Sequence, residues 1–191
     1  MLTGGSLQEL SISYNGGKDC LVLLIVYLSA LHTHSVKTGR PLPKTLESVY
    51  IVSPHPFSQV EDFVESSRKT YHLDLARYSN PMKQAFGDYL QDKKNIKAIF
   101  VGTRRTDPHG ASLKYFDPTD RGWPVFERIH PVIDWHYAEI WTVGDARNGI
   151  DRKDSNPSCS SYDISRYRIV RSMIWVILLS VERQIRIRIR H

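Results

Sequence analysis

Ser11-Ile12-Ser13-Tyr14-Asn15-Gly16-Gly17-Lys18-Asp19-Cys20 is the stretch on which the reading of this chain turns. Leu10, Ile12 and Tyr14 alternate with polar residues as one face of a strand does, and Leu21 to Leu28 is an unbroken apolar run suited to a buried helix. Between them, two glycines followed by Lys18 and Asp19 predict a tight turn feeding a helix N-terminus. Such a turn lets backbone N–H groups close on an anion, and the helix end adds partial positive charge. A lone Gly-Gly-Lys is equally well explained as a surface turn with an Asp that suits the helix dipole. With Ser13 and Asn15 in place and the flanking elements in order, the stretch reads as a phosphate site.

It is not a Walker A loop, which needs GxxxxGK[ST]; only Gly16-Gly17-Lys18 is present and Asp19 follows it. Ser-x-Asn-Gly-Gly-Lys-Asp instead resembles the pyrophosphate-binding loop of the PP-loop ATP pyrophosphatase superfamily. Members of that superfamily cleave ATP between its α and β phosphates.

Composition bounds the rest. A chain of 191 residues with 41% apolar and 24% charged residues predicts one globular, soluble domain with a proper core. Met1 to Gly5 carry no positive charge and the apolar run at 21–28 follows the Gly-Gly turn, so no signal peptide is expected. Cys20 and Cys159 stand far apart in unlike contexts and suggest neither a disulfide framework nor a metal cluster, which favours a reducing, cytoplasmic setting. The formal charge of +6 invites a nucleic-acid reading, but residues 142–191 hold ten Lys or Arg against five Asp or Glu and leave only +1 for 1–141. That distribution argues against a basic groove.

Along the chain, 8–14 reads as a strand and 18–34 as a helix, followed by a Gly- and Pro-containing loop over 38–45. Glu47 to Ser53 is a second strand, ended by Pro54-His55-Pro56. Ser58 with Glu61 three residues on forms a capping-box pattern, and Val60, Phe63 and Val64 mark the buried stripe of the helix it opens. Tyr71 to Leu75 reads as a third strand, Pro81 opens a helix with Met82, Phe86, Tyr89 and Leu90 on one face, and Ala98 to Val101 is a fourth strand. Alternating strands and helices predict a single-domain α/β fold with a doubly wound, mostly parallel sheet. Ligands of such sheets bind at the carboxyl ends of strands, where the Gly16-Gly17 loop, the corner at Val52 and the corner at Gly102 all fall.

Two more constellations sit on that edge. In Gly102-Thr103-Arg104-Arg105-Thr106-Asp107-Pro108, adjacent arginines offer planar forks for phosphate, and Asp107 before Pro108 is expected extended, an acceptor for a heteroaromatic ring. Solvated loop chemistry is the plainer account of the same residues. In Arg128-Ile129-His130-Pro131-Val132-Ile133-Asp134-Trp135, a strand-like segment delivers Asp134, which suits either a Mg2+ ligand beside phosphates or the N-cap of a helix over 135–141. Trp123, Trp135 and Trp141 are expected in the core, and His130 is expected to be structural.

Together, Ser13 to Cys20, Phe57 through Glu61 to Phe63, Gly102 to Pro108 and His130 to Trp135 are similar to eukaryotic FAD synthases, the FMN adenylyltransferases of the PAPS-reductase-like branch. The resemblance runs from about Leu10 to Trp141. It implies transfer of AMP from ATP to FMN, giving FAD and pyrophosphate with Mg2+ and no covalent intermediate. Ser13, Asn15, Gly16, Gly17 and Lys18 would hold the leaving pyrophosphate, with Asn15, Asp19 and Asp134 catalytic and Asp19 and Asp134 on the metal. Main-chain groups around Val52 and Ile129 would meet adenine. Gly102, Thr103, Arg104, Arg105 and Asp107 would hold FMN. The implied partners are ATP and FMN, with no nucleic acid, no membrane and a monomeric state.

The resemblance stops after Trp141. Residues 1–141 read as the catalytic domain, short at its N-terminus, and 142–191 as a divergent, basic, unfolded or misread tail; Pro157 to Asp163 only echoes the family's flavin-proximal loop. Met173 to Val181 falls short of a membrane span, and the Arg-Ile repeat at the end reads as an amphipathic strand or aggregation-prone edge. Two rivals follow: a catalytically impaired nucleotide-binding module, and a phosphoadenylyl-sulfate reductase, for which Cys159 lacks the Glu-Cys-Gly setting.

Overall fold

In the computed structural model, residues 7–143 are described. The expectations for the tail beyond 143, including Cys159, the Pro157 to Asp163 echo and the Arg-Ile ending, lie outside those residues. A short 3-10 turn, Leu7–Glu9, leads into β1 (Leu10–Ser13) and α1 (Lys18–Thr38). There follow β2 (Leu46–Ile51), α2 (Ser58–Thr70), β3 (Leu73–Tyr78), α3 (Met82–Asp92) and β4 (Ala98–Phe100). A hairpin of β5 (Phe116–Pro118) and β6 (Glu127–Ile129) and a helix, α4 (137–143), end the described part.

The six strands form one sheet in the order β3-β2-β1-β4-β6-β5, parallel throughout except for β5 at its edge. This is the expected α/β, doubly wound, mostly parallel architecture. The chain winds from β1 outward to β2 and β3, then returns to place β4 on the other side of β1. The carboxyl ends of β1 and β4 therefore open side by side, where this class of sheet forms its ligand crevice.

Burial of both faces explains the strand sequences. Ile12 and Phe100 pack in the core beneath α1 and α2, whereas Val49 and Ile99 pack with Phe86, Tyr89 and Phe126 on the α3 side. Polar groups that reach these interiors find partners: Ser11 Oγ lies 2.7 Å from the Tyr89 hydroxyl, and Tyr14 Oη donates to Ser67 Oγ at 2.8 Å. In α1, Val22 to Tyr27 are six consecutive buried residues, because protein surrounds the helix on all sides. At 21 residues α1 is long and apolar enough to cross a membrane; here it is the central helix of the core.

Several local expectations move. α1 runs four residues past the predicted end and stops at Gly39, whose φ of +68° makes a left-handed cap donating to the Ser35 carbonyl at 2.8 Å. β3 starts at Leu73 because Tyr71 still closes the last turn of α2, and His72 reverses the chain at φ +53°. No capping box forms at Ser58, since Phe57 is the N-cap and the Glu61 carboxylate accepts from Tyr50 Oη at 2.6 Å and Arg77 Nη1 at 2.6 Å. Of the predicted stripe on α2, Val64 is buried, Phe63 half-buried and Val60 exposed. Trp135 is buried and Trp123 partly so, but Trp141 is exposed and packs edge-on to Tyr137. The expected boundary after Trp141 falls inside α4, whose Ile140 and Val143 belong to the core. β5 was not foreseen: Phe-Asp-Pro carries too short a pattern to read as a strand.

Candidate active site

β1 ends at Ser13, and Asn15-Gly16-Gly17 carries the chain into α1. Gly16 has φ +75°, and a Cβ there would sit 2.8 Å from Val64 Cγ2, so both the conformation and the approach of α2 demand glycine. Asn15 Oδ1 accepts the Gly17 N–H at 2.9 Å, a side-chain turn that fixes the loop from within. Gly17 is the N-cap and offers no side-chain acceptor to the first amides of α1. The loop thus presents helix-end N–H groups without a competing cap, an arrangement able to take an anion.

The charges beside it are paired. Lys18 Nζ lies 2.9 Å from Asp19 Oδ2 and 5.4 Å from the centre of the Tyr137 ring. Asp19 Oδ1 faces Arg104 Nε at 3.3 Å, and neither buried atom makes a hydrogen bond. Asp19 is thereby held between two cations.

Beside this loop, Gly102 follows β4 and its backbone lies against the first turn of α1: a Cβ would meet Cys20 N at 3.2 Å and the Asp19 carbonyl carbon at 3.3 Å. The arginine forks expected to await phosphate are engaged with protein. Arg104 is buried, with Nη2 3.1 Å from Asp107 Oδ1. Arg105 donates from Nε to Asp134 Oδ1 at 2.6 Å and from Nη1 to the carbonyls of Ala111 and Leu113 at 3.1 and 2.9 Å. Asp107 closes a turn instead of standing extended, its N–H donating to the Arg104 carbonyl at 3.0 Å while Oδ2 accepts the Arg104 N–H at 2.8 Å. Gly110 completes that turn, since a Cβ there would collide with the Arg104 carbonyl oxygen.

These walls enclose a cleft of about 540 Å³. Ser13, Asn15, Gly17 and Asp19 line it, together with Gly102, Thr103, Asp107 and Pro108. Gly16, Lys18, Arg104, Arg105, Val52, Ile129 and Asp134 support it without lining it. The Val52 N–H donates to the Tyr78 carbonyl at 2.8 Å and the Ile129 carbonyl accepts from Val101 at 2.8 Å, so these main-chain groups already serve the sheet. A second hollow, of about 590 Å³, opens at the amino edge of the sheet near Leu10 and Lys93, away from every predicted site residue.

The far wall was missed by sequence reasoning. Trp123, Phe126, Arg128 and His130 line it, with Met82 and Phe86 from α3. Its signal is the period-two run Phe126, Arg128, His130 along β6, which places alternate side chains on one face. Among the described residues, Arg128 is the one Lys or Arg in the cleft wall. Its Nη2 donates to the Pro118 carbonyl at 2.9 Å and to Asp120 Oδ1 at 3.3 Å, while the buried Nε has no hydrogen-bond partner. His130 is buried, with Nδ1 3.0 Å from the Lys114 carbonyl and a pKa pushed down by that burial. Burial also pushes the Cys20 thiol up to about 11, which keeps it protonated at neutral pH.

The two carboxylates expected on a metal differ. Asp19 lines the cleft beside the phosphate loop with its side chain one-fifth exposed. It is a hard oxygen donor of the kind Mg2+ takes next to phosphates, although Oδ1 is buried against Arg104 and Oδ2 is paired with Lys18. Asp134 does not fit: Arg105 holds it, hydrogen bonding to Arg105 and then Tyr115 lowers its pKa, and it stands outside the cleft wall. Nor is Asp134 the N-cap. α4 opens at 137, where Glu139 Oε2 reaches back to the His136 N–H at 2.7 Å. Among the described residues no three His, Cys, Asp or Glu side chains converge as a metal cluster.

The chain is 40% identical over 136 residues to the Schizosaccharomyces pombe protein named "Probable FAD synthase", covering 71% of this chain and 51% of that one. It is 35% identical over 151 residues to the Saccharomyces cerevisiae flavin adenine dinucleotide synthase, covering 70% and 49%. The crystal structure of Candida glabrata FMN adenylyltransferase in complex with FMN and the ATP analogue AMPCPP superposes with a TM-score of 0.67 at 40% identity, over 71% of this chain and 47% of that one. The chain thus spans about half the length of the curated fungal relatives it matches. Residues 9–91 and 80–149 match the phosphoadenosine phosphosulfate reductase domain, and the chain belongs to that family.

Proposed function

We propose that this chain carries the nucleotidyl-transfer site of an FMN adenylyltransferase, moving AMP from ATP to the phosphate of FMN to give FAD and pyrophosphate. One observation carries the reading: a single cleft joins the Gly16-Gly17 loop to a turn and an aromatic far wall at neighbouring strand ends. The solved Candida glabrata relative, with FMN and an ATP analogue in one complex, supports the same assignment.

In this reading the β and γ phosphates of ATP rest on the Asn15-Gly16-Gly17 loop and the amides opening α1, with Ser13 beside them. Lys18 adds positive charge as the pyrophosphate leaves. The cleft beyond it, between Thr103, Asp107 and Pro108 on one side and Trp123, Phe126 and Arg128 on the other, takes FMN. A phosphate oxygen of FMN forms the new bond to the α-phosphorus as the α–β bridging oxygen departs with pyrophosphate. Alignment of the two phosphates and neutralisation of developing charge are sufficient chemistry, and no protein nucleophile is required. A Mg2+ ion held by Asp19 and the phosphates would supply further charge neutralisation when bound.

Incubation of the purified chain with ATP, FMN and Mg2+, followed by chromatography, tests the reading. FAD and pyrophosphate forming in equal amounts is the expected result. ATP binding without FAD formation would replace it with the nucleotide-binding-module reading.

A further inference from the structure

We propose that Arg104 is a positioning residue that ties the phosphate loop to the turn facing it, one guanidinium setting both the Asp19 and the Asp107 carboxylates. The proposal rests on the reading of the cleft as a nucleotide site, and it assigns Arg104 a role other than direct contact with substrate.

Arg104 sits at the junction of the two walls with its side chain 11% exposed. Toward the turn, Nη2 lies 3.1 Å from Asp107 Oδ1, while Asp107 Oδ2 accepts the backbone N–H of Arg104 at 2.8 Å. Toward the phosphate loop, Nε lies 3.3 Å from Asp19 Oδ1. The backbone repeats this link, since Gly102 lies against Asp19 and Cys20 closely enough that a Cβ there would come within 3.1–3.3 Å of them, a tight contact. Only a fork spans this arrangement: Nε and Nη2 address different carboxylates, which a lysine ammonium cannot do from one point.

The two arms are unequal. The Asp107 arm is hydrogen-bonded and fixes where the guanidinium lies. The Asp19 arm is a charge contact in which neither facing atom makes a hydrogen bond. Asp19 is therefore kept in place at the loop by charge, with Oδ1 buried against Arg104 and Oδ2 paired with Lys18. Loosening Asp107 should then disturb Asp19 through Arg104, although Asp107 belongs to the opposite wall.

The test is a double-variant cycle on binding of AMPCPP with Mg2+, using Asp107→Asn, Arg104→Lys and the two combined. Asp107→Asn is expected to weaken binding about threefold and Arg104→Lys about tenfold, with the combined variant no weaker than Arg104→Lys alone. Additive losses would mean that Asp107 touches the nucleotide directly, and an Asp107→Asn affinity equal to the wild type would break the bridge; either result overturns the proposal. Failure of the wild type to bind AMPCPP would sink the phosphate-loop reading instead. The bridge is then judged by amide hydrogen exchange over residues 15–21, which Asp107→Asn should accelerate; unchanged exchange there would overturn it. The same exchange measurement decides the matter should Arg104→Lys fail to fold.

Discussion

The two walls of the cleft are built by opposite means. The Asn15-Gly16-Gly17 loop is a backbone device: a left-handed glycine, an Asn side chain closing on the next amide but one, and an uncapped helix end. The 102–110 turn is a side-chain device, in which Arg104 and Arg105 are tied to Asp107, Asp19 and Asp134. A backbone device is specified by a few adjacent residues and can be read locally. A side-chain device depends on partners up to 85 positions away, as Arg104 and Asp19 are, and its charged groups read as ligand contacts until those partners are known.

The strongest way to break this contrast is Gly110→Ala. Its Cβ would strike a backbone oxygen, which cannot rotate away, so the turn must open and release Arg104. We expect a loss of about 3 kcal/mol, the scale of a large single-site effect, seen as a melting temperature lower by roughly 6–12 °C. A variant that melts within a degree of the wild type would show that the turn has slack that the contact denies.

Gly16→Ala comes next and should act on function more than on stability. Forcing a side chain into a left-handed conformation costs about 1–2 kcal/mol, and the contact with Val64 adds to it. Titration with AMPCPP should show affinity lower by at least about tenfold while circular dichroism still reports the wild-type fold. Undiminished affinity would remove the loop from the phosphate site.

The smallest effect is expected at the Arg105–Asp134 pair. Hydrogen bonding to Arg105, with Tyr115 adding to it against a smaller cost of burial, holds the Asp134 carboxyl below its ordinary range. A carboxyl depressed in this way stabilises the fold above its unfolded pKa, about 3.9, and that contribution is lost as pH falls through the lower folded value. With both side chains more than a third exposed, Asp134→Asn should cost under about 1 kcal/mol at neutral pH. Its stability should also fall less steeply than that of the wild type below about pH 4. A marked change in the Mg2+ dependence of nucleotide binding would instead return Asp134 to the metal.

What the sequence disclosed follows the same division. Periodicity and punctuation located β1, α1, α2, α3 and the parallel sheet, because the apolar run after Gly17 and the proline signals act within a few residues of the elements they shape. The Gly16-Gly17 loop was legible for that reason. Glu61 was taken for a capping residue because the pull of Tyr50 and Arg77, brought by β2 and β3, is invisible in a local window. The pairing of Arg104 and Arg105 with Asp19, Asp107 and Asp134 is likewise invisible in a local window. Trp123 was expected in the core and Arg128 in a strand-like segment with no site role, because the cleft wall they build exists only once the hairpin pairs with β4.

The account stands on both substrates sharing one cleft, and FAD tests this most directly because it joins an adenylyl group and a flavin in one molecule. Equilibrium competition with the purified chain and Mg2+ should show FAD displacing bound AMPCPP, and AMPCPP raising the apparent dissociation constant of FAD in proportion to its concentration. FAD that binds while leaving AMPCPP in place, with neither affinity altered, would put the flavin elsewhere on the molecule and contradict the single-cleft assignment.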